Sequence, residues 1–150
     1  MEYRILKKEE AGFLTSVFTT PEYQLYFAEN DTTKEEWEER LTLFDTKHSY
    51  IISKNGEDVG WIMYDLKEDI CEMNIIVLLP SERCKGYGKE IFSDLLKRHP
   101  QIKTINLDVQ QRNKNAVIFY TKMGFQTVGE EYQLVNEEKV AYYKMTETIN

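Results

Sequence analysis

Residues 75–92 read IIVLLPSERCKGYGKEIF: an apolar run, a proline, a cation-rich stretch holding two glycines, then a helical pattern. Residues 75–79 are apolar in succession, which suits a strand buried on both faces, and Pro80 ends it. Beyond the glycines, Ile91, Phe92, Leu95 and Leu96 form one stripe at helical spacing. Lys97, Arg98 and His99 occupy the last turn, where the helix dipole favours cations, and Pro100 stops the helix. The start of this helix is the anomaly. Arg83, Lys85 and Lys89 surround an N-terminal turn whose dipole prefers anions, and no Ser, Thr, Asp or Asn immediately precedes the glycines to cap the free N–H groups. A bound anion would satisfy those donors and neutralise the three cations together.

Two familiar phosphate loops fail here. A dinucleotide fingerprint requires glycine at position 91, which is Ile91; a nucleoside-triphosphate loop requires glycine at 83 and Ser or Thr at 90, which are Arg83 and Glu90. What remains is a strand, Pro80, and Arg83-x-x-Gly86-x-Gly88 opening a helix. Glycines let backbone N–H groups approach phosphate oxygens closely, so the pattern suits a diphosphate. A glycine-rich turn with surface lysines is the competing reading.

Working outward, Asn55-Gly56 between two β-prone runs signals a two-residue hairpin, and Lys67, Glu68 and Asp69 supply a second polar turn. Thr33 and Glu36 have capping-box spacing ahead of a helix that places Trp37, Leu41 and Phe44 on one face. Residues 3–7 suit a first strand, with helical segments over 8–28. Downstream, Ile105, Leu107 and Val109 alternate with Asn106 and Asp108 as in a strand. Asn113 reads as the N-cap of a helix over 114–123, and Gly124 as its left-handed C-cap. FQTV and KVAYYKMT close the chain as two strands. The order is helices, an antiparallel meander, then strand, helix, strand, helix and two strands, with a right-handed parallel crossover. This predicts a mixed α/β sheet covered on both sides.

Composition sets the outer limits. The chain has 150 residues, 41% hydrophobic and 13% aromatic, so it can build a core and is not a disordered segment. A net charge of -7 argues against a general nucleic-acid binder. No apolar run approaches the length of a membrane span, and MEYRILKKEE lacks the apolar centre of a secretory signal. Cys71 and Cys84 have neither zinc nor redox spacing, and with two histidines in the chain no metal site is expected. Reduced thiols in a cytoplasmic protein are the simpler reading.

A second motif makes the glycine loop specific. RCKGYG resembles the Arg/Gln-x-x-Gly-x-Gly/Ala signature of the GNAT superfamily of acetyl-CoA-dependent N-acetyltransferases. NKNAVIFYTKMGF is similar to that family's Asn-x-x-Ala-x-x-x-Tyr-x-x-x-Gly-Phe pattern, with Asn113, Ala116, Tyr120, Gly124 and Phe125 at the fixed positions. The resemblance covers residues 48–146 and implies one α/β domain over 1–150. Its α+β sheet would be mixed and largely antiparallel, with a central parallel strand pair and helices on both faces.

The resemblance also implies roles. Arg83, Cys84, Lys85, Gly86, Tyr87, Gly88 and Lys89 would hold the CoA pyrophosphate, and the backbone of Ile76, Val77 and Leu78 would pair with the pantetheine arm and acetyl carbonyl, an N–H near Leu78 taking the oxyanion. Asn113 would contact the pantetheine or order the strand end. Tyr120 would act as the acid at the departing thiolate. Glu72 is a candidate for the base that takes the amine proton, Asp108 stands slightly behind it, and Tyr142 and Tyr143 are weaker candidates. Cys84 lies by the expected pyrophosphate, so an acetyl-cysteine intermediate is rejected. The expected reaction is direct transfer of an acetyl group from acetyl-CoA to a primary amine of a small molecule or peptide. The acidic, aromatic segments PEYQLYFAEND and GEEYQLVNEE suit a cationic acceptor. The alternative is a non-catalytic acyl-CoA-binding or sensing module. Homodimers are frequent in the family, although no sequence feature demands one; neither nucleic acid nor membrane is an expected partner.

Overall fold

The computed structural model describes residues 1–27, 32–43, 48–135 and 137–150. In chain order the elements are β1 (Glu2–Ile5), a 3-10 turn (Lys8–Glu10), α1 (Ala11–Val17), α2 (Pro21–Tyr26), α3 (Lys34–Leu43), β2 (His48–Lys54), β3 (Glu57–Lys67), β4 (Ile70–Leu78), a second 3-10 turn (Pro80–Glu82), α4 (Tyr87–Arg98), β5 (Thr104–Gln110), α5 (Lys114–Met123), β6 (Gln126–Val135) and β7 (Glu138–Thr148). The strands form one seven-stranded sheet in the order β1-β2-β3-β4-β5-β7-β6. β4 and β5 are parallel, paired from Ile70↔Thr104 to Met73↔Leu107, as the strand-helix-strand crossover predicts. β1 with β2, β2 with β3, β5 with β7 and β6 with β7 are antiparallel.

Local signals placed most of these elements. Asn55 and Gly56 have φ of 54° and 81°, the double left-handed turn that joins β2 to β3. The Thr33 hydroxyl accepts the Glu36 N–H at 3.1 Å, while Glu36 reaches back to the Thr33 N–H at 3.4 Å, completing the capping box of α3. Phe44, expected on the face of α3, lies outside the described residues, as do residues 28–31. The first strand and the 8–28 helical region are shorter and more broken than expected, being split by the 3-10 turn and the α1-α2 junction.

The chain forms two compact units. The first comprises Met1–Tyr64 and Ile75–Ile91. In it, Leu14, Val17 and Phe18 from the α1 region, Tyr23 from α2, and Trp37 and Leu41 from α3 bury against Ile51, Trp61, Met63 and Val77 of the sheet. Trp37 stacks on Phe18 at 5.5 Å and meets Trp61 edge-on at 5.9 Å, an arrangement that adds about 0.5–1.5 kcal/mol per aromatic pair beyond burial. Ile52 and Ile62 are also buried, so these strands are covered on both faces. The second unit comprises Asp65–Asn74 and Phe92–Asn150. Its buried set includes Cys71, Met73, Ile105, Leu107, Val109 and Met145 on strands, with Phe92, Leu95 and Tyr120 on helices.

Where β3 passes β4 in the first unit, the two backbones are unusually close. A Cβ on Gly60 would lie 2.3 Å from the Val77 carbonyl oxygen, and the Leu79 N–H donates to the Val59 carbonyl at 2.8 Å. Glycine is therefore a packing requirement at this position, and it sets where the end of β4 lies. Gly60→Ala should push β4 outward at Val77 and cost on the order of 1–3 kcal/mol, read as a lowered urea midpoint. A midpoint equal to wild type would show that the strand end yields freely. Cys71 is fully buried on β4, and desolvation, with smaller contributions from Glu72 and Asp65, pushes its thiol from 9.0 up to about 12. The unfolded thiol ionises first, so stability is expected to fall as pH rises from 9 towards 12, and Cys71→Ala should flatten that fall. At pH 8 an alkylating reagent should modify the exposed Cys84 in the native protein and reach Cys71 only in denaturant.

Candidate active site

The cation-rich turn has a particular backbone form. Arg83 is extended, Cys84 has φ of 63°, and Gly86 has φ of 79°; Lys85 between them is not among the positive-φ residues. The sign of φ therefore alternates from residue 83 to residue 86, with left-handed residues on either side of Lys85 just ahead of a helix start. Gly86 adopts its conformation without steric cost, whereas a left-handed cysteine stores about 1–3 kcal/mol of strain. α4 begins at once, at Tyr87, so its free N–H groups add to the same end. The cations are not left bare. Lys85 pairs with Glu82 at 3.0 Å, and Arg83 lies 3.8 Å from Glu22 and 5.4 Å from the Tyr23 ring. Lys85, Arg83 and Glu22 are exposed and Glu82 is half-buried, so solvent screens both pairs. The expectation that only an added anion neutralises these side chains is thus modified: weak acidic partners already do part of it.

Immediately before the turn, β4 runs on to Leu78, but its pairing with β5 ends at Met73↔Leu107. The Tyr23 hydroxyl donates to the Leu78 carbonyl at 2.5 Å, tying α2 to the strand end. Residues 75–79 differ from the prediction of full burial: Val77 is buried, whereas Ile75, Ile76, Leu78 and Leu79 are half-buried. A run of apolar residues is sealed only where neighbours cover both its edges and both its faces.

In the second unit, the Asn113 side chain accepts the Ala116 N–H at 3.4 Å, so it is the N-cap of α5, and Gly124 closes the helix with φ of 112°. Tyr120 is buried on α5 among Phe92, Phe119 and Phe125, with ring centroids 6.4, 5.4 and 5.5 Å away. Desolvation raises its pKa above the ordinary tyrosine value, which keeps the phenol protonated at neutral pH. Among the described residues its hydroxyl has no hydrogen-bond partner, so its proton is available to donate.

The same unit brings both candidate carboxylates into one cavity of about 470 Å³, whose lining also includes Asn74, Asn106, Val128 and Lys144. Glu72 and Asp108 come from the parallel strands β4 and β5, on faces that alternate with the buried Met73 and Leu107. Their surroundings differ. Glu72 Oε1 accepts the Asn106 amide at 3.1 Å. Asp108 lies 3.9 Å from Lys144, which is held more closely by Glu131 at 3.2 Å. Desolvation raises the Asp108 pKa, Lys144 opposes it and Glu131 adds to it. Tyr142 is engaged elsewhere, its hydroxyl accepting from Gln110 at 3.1 Å, and neither it nor Tyr143 lines the cavity. Sequence reading missed Asn106, Lys144 and Glu131. Asn106 shares the alternation of Asp108, but the Glu72↔Asn106 register that makes it a neighbour is a tertiary fact. Both cysteines are free. Among the described residues no cluster of His, Cys, Asp and Glu is placed to hold a metal, and no helix is long and apolar enough to cross a membrane.

None of the curated protein sequences matches this chain. Among solved structures it is similar to spermidine N-acetyltransferase from Vibrio cholerae in complex with CoA and spermine, at 17% identity and a TM-score of 0.79 over 98% of this chain and 94% of that one. It is also similar to AAC(6')-Ib in complex with ribostamycin and coenzyme A, at 18% identity and a TM-score of 0.74 over 97% and 92%. An acetyltransferase from Thermus thermophilus matches at 15% identity, with a TM-score of 0.77 over 99% and 96%. At these identities the likeness establishes the fold. The family model for the acetyltransferase (GNAT) family matches residues 14–125, taking in the β4 end, the anion-type turn, the capped helix α5 and Tyr120. The chain belongs to the GNAT family of acetyltransferases, enzymes whose acetyl donor is acetyl-CoA.

Proposed function

We propose that the chain transfers an acetyl group from acetyl-CoA directly to a primary amine of a small molecule or peptide, with no acyl-enzyme. The left-handed turn at residues 84–86 running straight into α4 is the observation that carries this reading, because the free N–H groups of a helix start behind a glycine turn suit a diphosphate. Arg83 and Lys85, both exposed, add positive charge, since solvent screens their pairs with Glu22 and Glu82. Cys84, Tyr87, Gly88 and Lys89 complete the same turn. Ile76, Val77 and Leu78 offer the pantetheine arm the end of β4 directly ahead of that turn. Asn113 fixes the start of α5 and contacts the same arm.

The amine nitrogen attacks the thioester carbonyl carbon and the C–S bond breaks. Glu72 takes the surplus proton from nitrogen, and the Tyr120 phenol supplies a proton to sulfur. Tyr120 suits this role because it is held protonated with an unengaged hydroxyl. Glu72 suits the base role better than Asp108, whose charge is shared with Lys144. Positioning supplies the largest part of the acceleration, on the order of 7–11 kcal/mol in favourable cases. The acceptor is a cationic amine: carboxylates line the cavity, and relatives of this fold were solved with spermine and with ribostamycin.

Gly86→Asp and Arg83→Glu should each abolish CoA binding by calorimetry while leaving the circular dichroism spectrum unchanged, and CoA should slow alkylation of Cys84 in the wild type. Unchanged affinity in both variants would return the turn to a surface loop. Tyr120→Phe should keep CoA affinity and lose about 10²–10⁴-fold in turnover. In a free-CoA release assay, spermine, ribostamycin and lysine should outpace neutral and acidic acceptors. Turnover confined to the latter would sink the cationic assignment, and no turnover of any acceptor would favour a binding module.

A further inference from the structure

The base proposed above stands at the end of a row that crosses three strands. Glu72 on β4 is in register with Asn106 on β5, and Asn106 is in register with Thr146 on β7. Directly opposed residues on neighbouring strands lie about 4.5–5.5 Å apart, within hydrogen-bond reach of short side chains. The contacts form: the Thr146 hydroxyl donates to Asn106 Oδ1 at 2.7 Å, and Asn106 Nδ2 donates to Glu72 Oε1 at 3.1 Å. All three residues are half-buried.

The direction of these bonds matters. An amide can face a carboxylate only through its NH2 group, because its carbonyl oxygen would repel it. Thr146 occupies the carbonyl end with a donor, so both neighbours hold Asn106 in the same orientation. The carboxylate is then gripped through Oε1, while Oε2 has no partner among the described residues. A base fixed by one oxygen and open at the other can hold a single geometry towards the proton it removes. Mispositioning by about 1 Å can cost on the order of 10²-fold in rate.

We propose that Thr146 and Asn106 are positioning residues, a hydrogen-bonded row that locks Glu72 as the base taking the proton of the acceptor amine. The proposal rests on the assignment of Glu72 above, and double mutants separate the two. With acetyl-CoA and spermine, or ribostamycin where it turns over faster, Thr146→Val and Asn106→Leu should lower kcat about 10–100-fold with the KM for acetyl-CoA unchanged. Thr146→Ser, which keeps the donor, should stay within about threefold of wild type by the same logic. In a Glu72→Gln background, Thr146→Val should have no further effect, because nothing remains to be positioned. Wild-type kcat in Thr146→Val, no rescue by serine, or the same loss in the Glu72→Gln background would overturn the row. Full activity of Glu72→Gln would instead overturn the base assignment itself. Thermal melts of each variant separate a lost row from a lost fold.

Discussion

Strand β4 has two edges, and the fact that β5 uses only part of one of them organises the rest of this protein. From Ile70 to Met73 the ladder is complete, and beyond Met73 it is not. The paired half holds Glu72 beside Asn106 with the precision of a sheet register. The half beyond it carries the half-buried apolar side chains of Ile75, Ile76 and Leu78. Its position is set from the β3 edge by the close pass of Gly60, and the Tyr23 hydroxyl holds the Leu78 carbonyl, which points away from β3. One strand thus carries a carboxylate fixed by register and a stretch of half-buried apolar side chains.

Electrostatics separates the titratable groups by task. Tyr120 is desolvated and keeps its proton. Asp108 is pulled in two directions, up by desolvation and Glu131, down by Lys144. Cys71, buried and pushed up to about 12, is an inert core side chain. At the turn after β4, Arg83 and Lys85 have acidic partners, the exposed Glu22 and the half-buried Glu82.

Much of the fold was legible because its signals are local. The Asn55-Gly56 turn, the Thr33 and Glu36 box, the Asn113 cap and the Gly124 terminus each involve hydrogen bonds within a few residues, and all form as predicted. The parallel pairing of β4 with β5 followed from chirality and the intervening helix. Full burial of residues 75–79 was a reasonable inference from five apolar residues, yet apolar composition specifies only a preference for leaving water. Whether a neighbouring strand reaches far enough to seal them is decided elsewhere in the chain.

Short runs with fixed spacing dictate where helices and strands begin, which turn could gather anions, and which family the chain joins; all of this is written in the residues. The folded arrangement dictates which residues stand side by side. Glu72, Asn106 and Thr146 are separated by 34 and 40 positions along the chain, and no spacing rule connects them. Their alignment comes from strand register, which is set by the burial of Met73, Leu107 and Met145 on the opposite face. A slip of one residue would turn every carboxylate of the cavity into the core, and the cost of burying those charges is what holds the row in place.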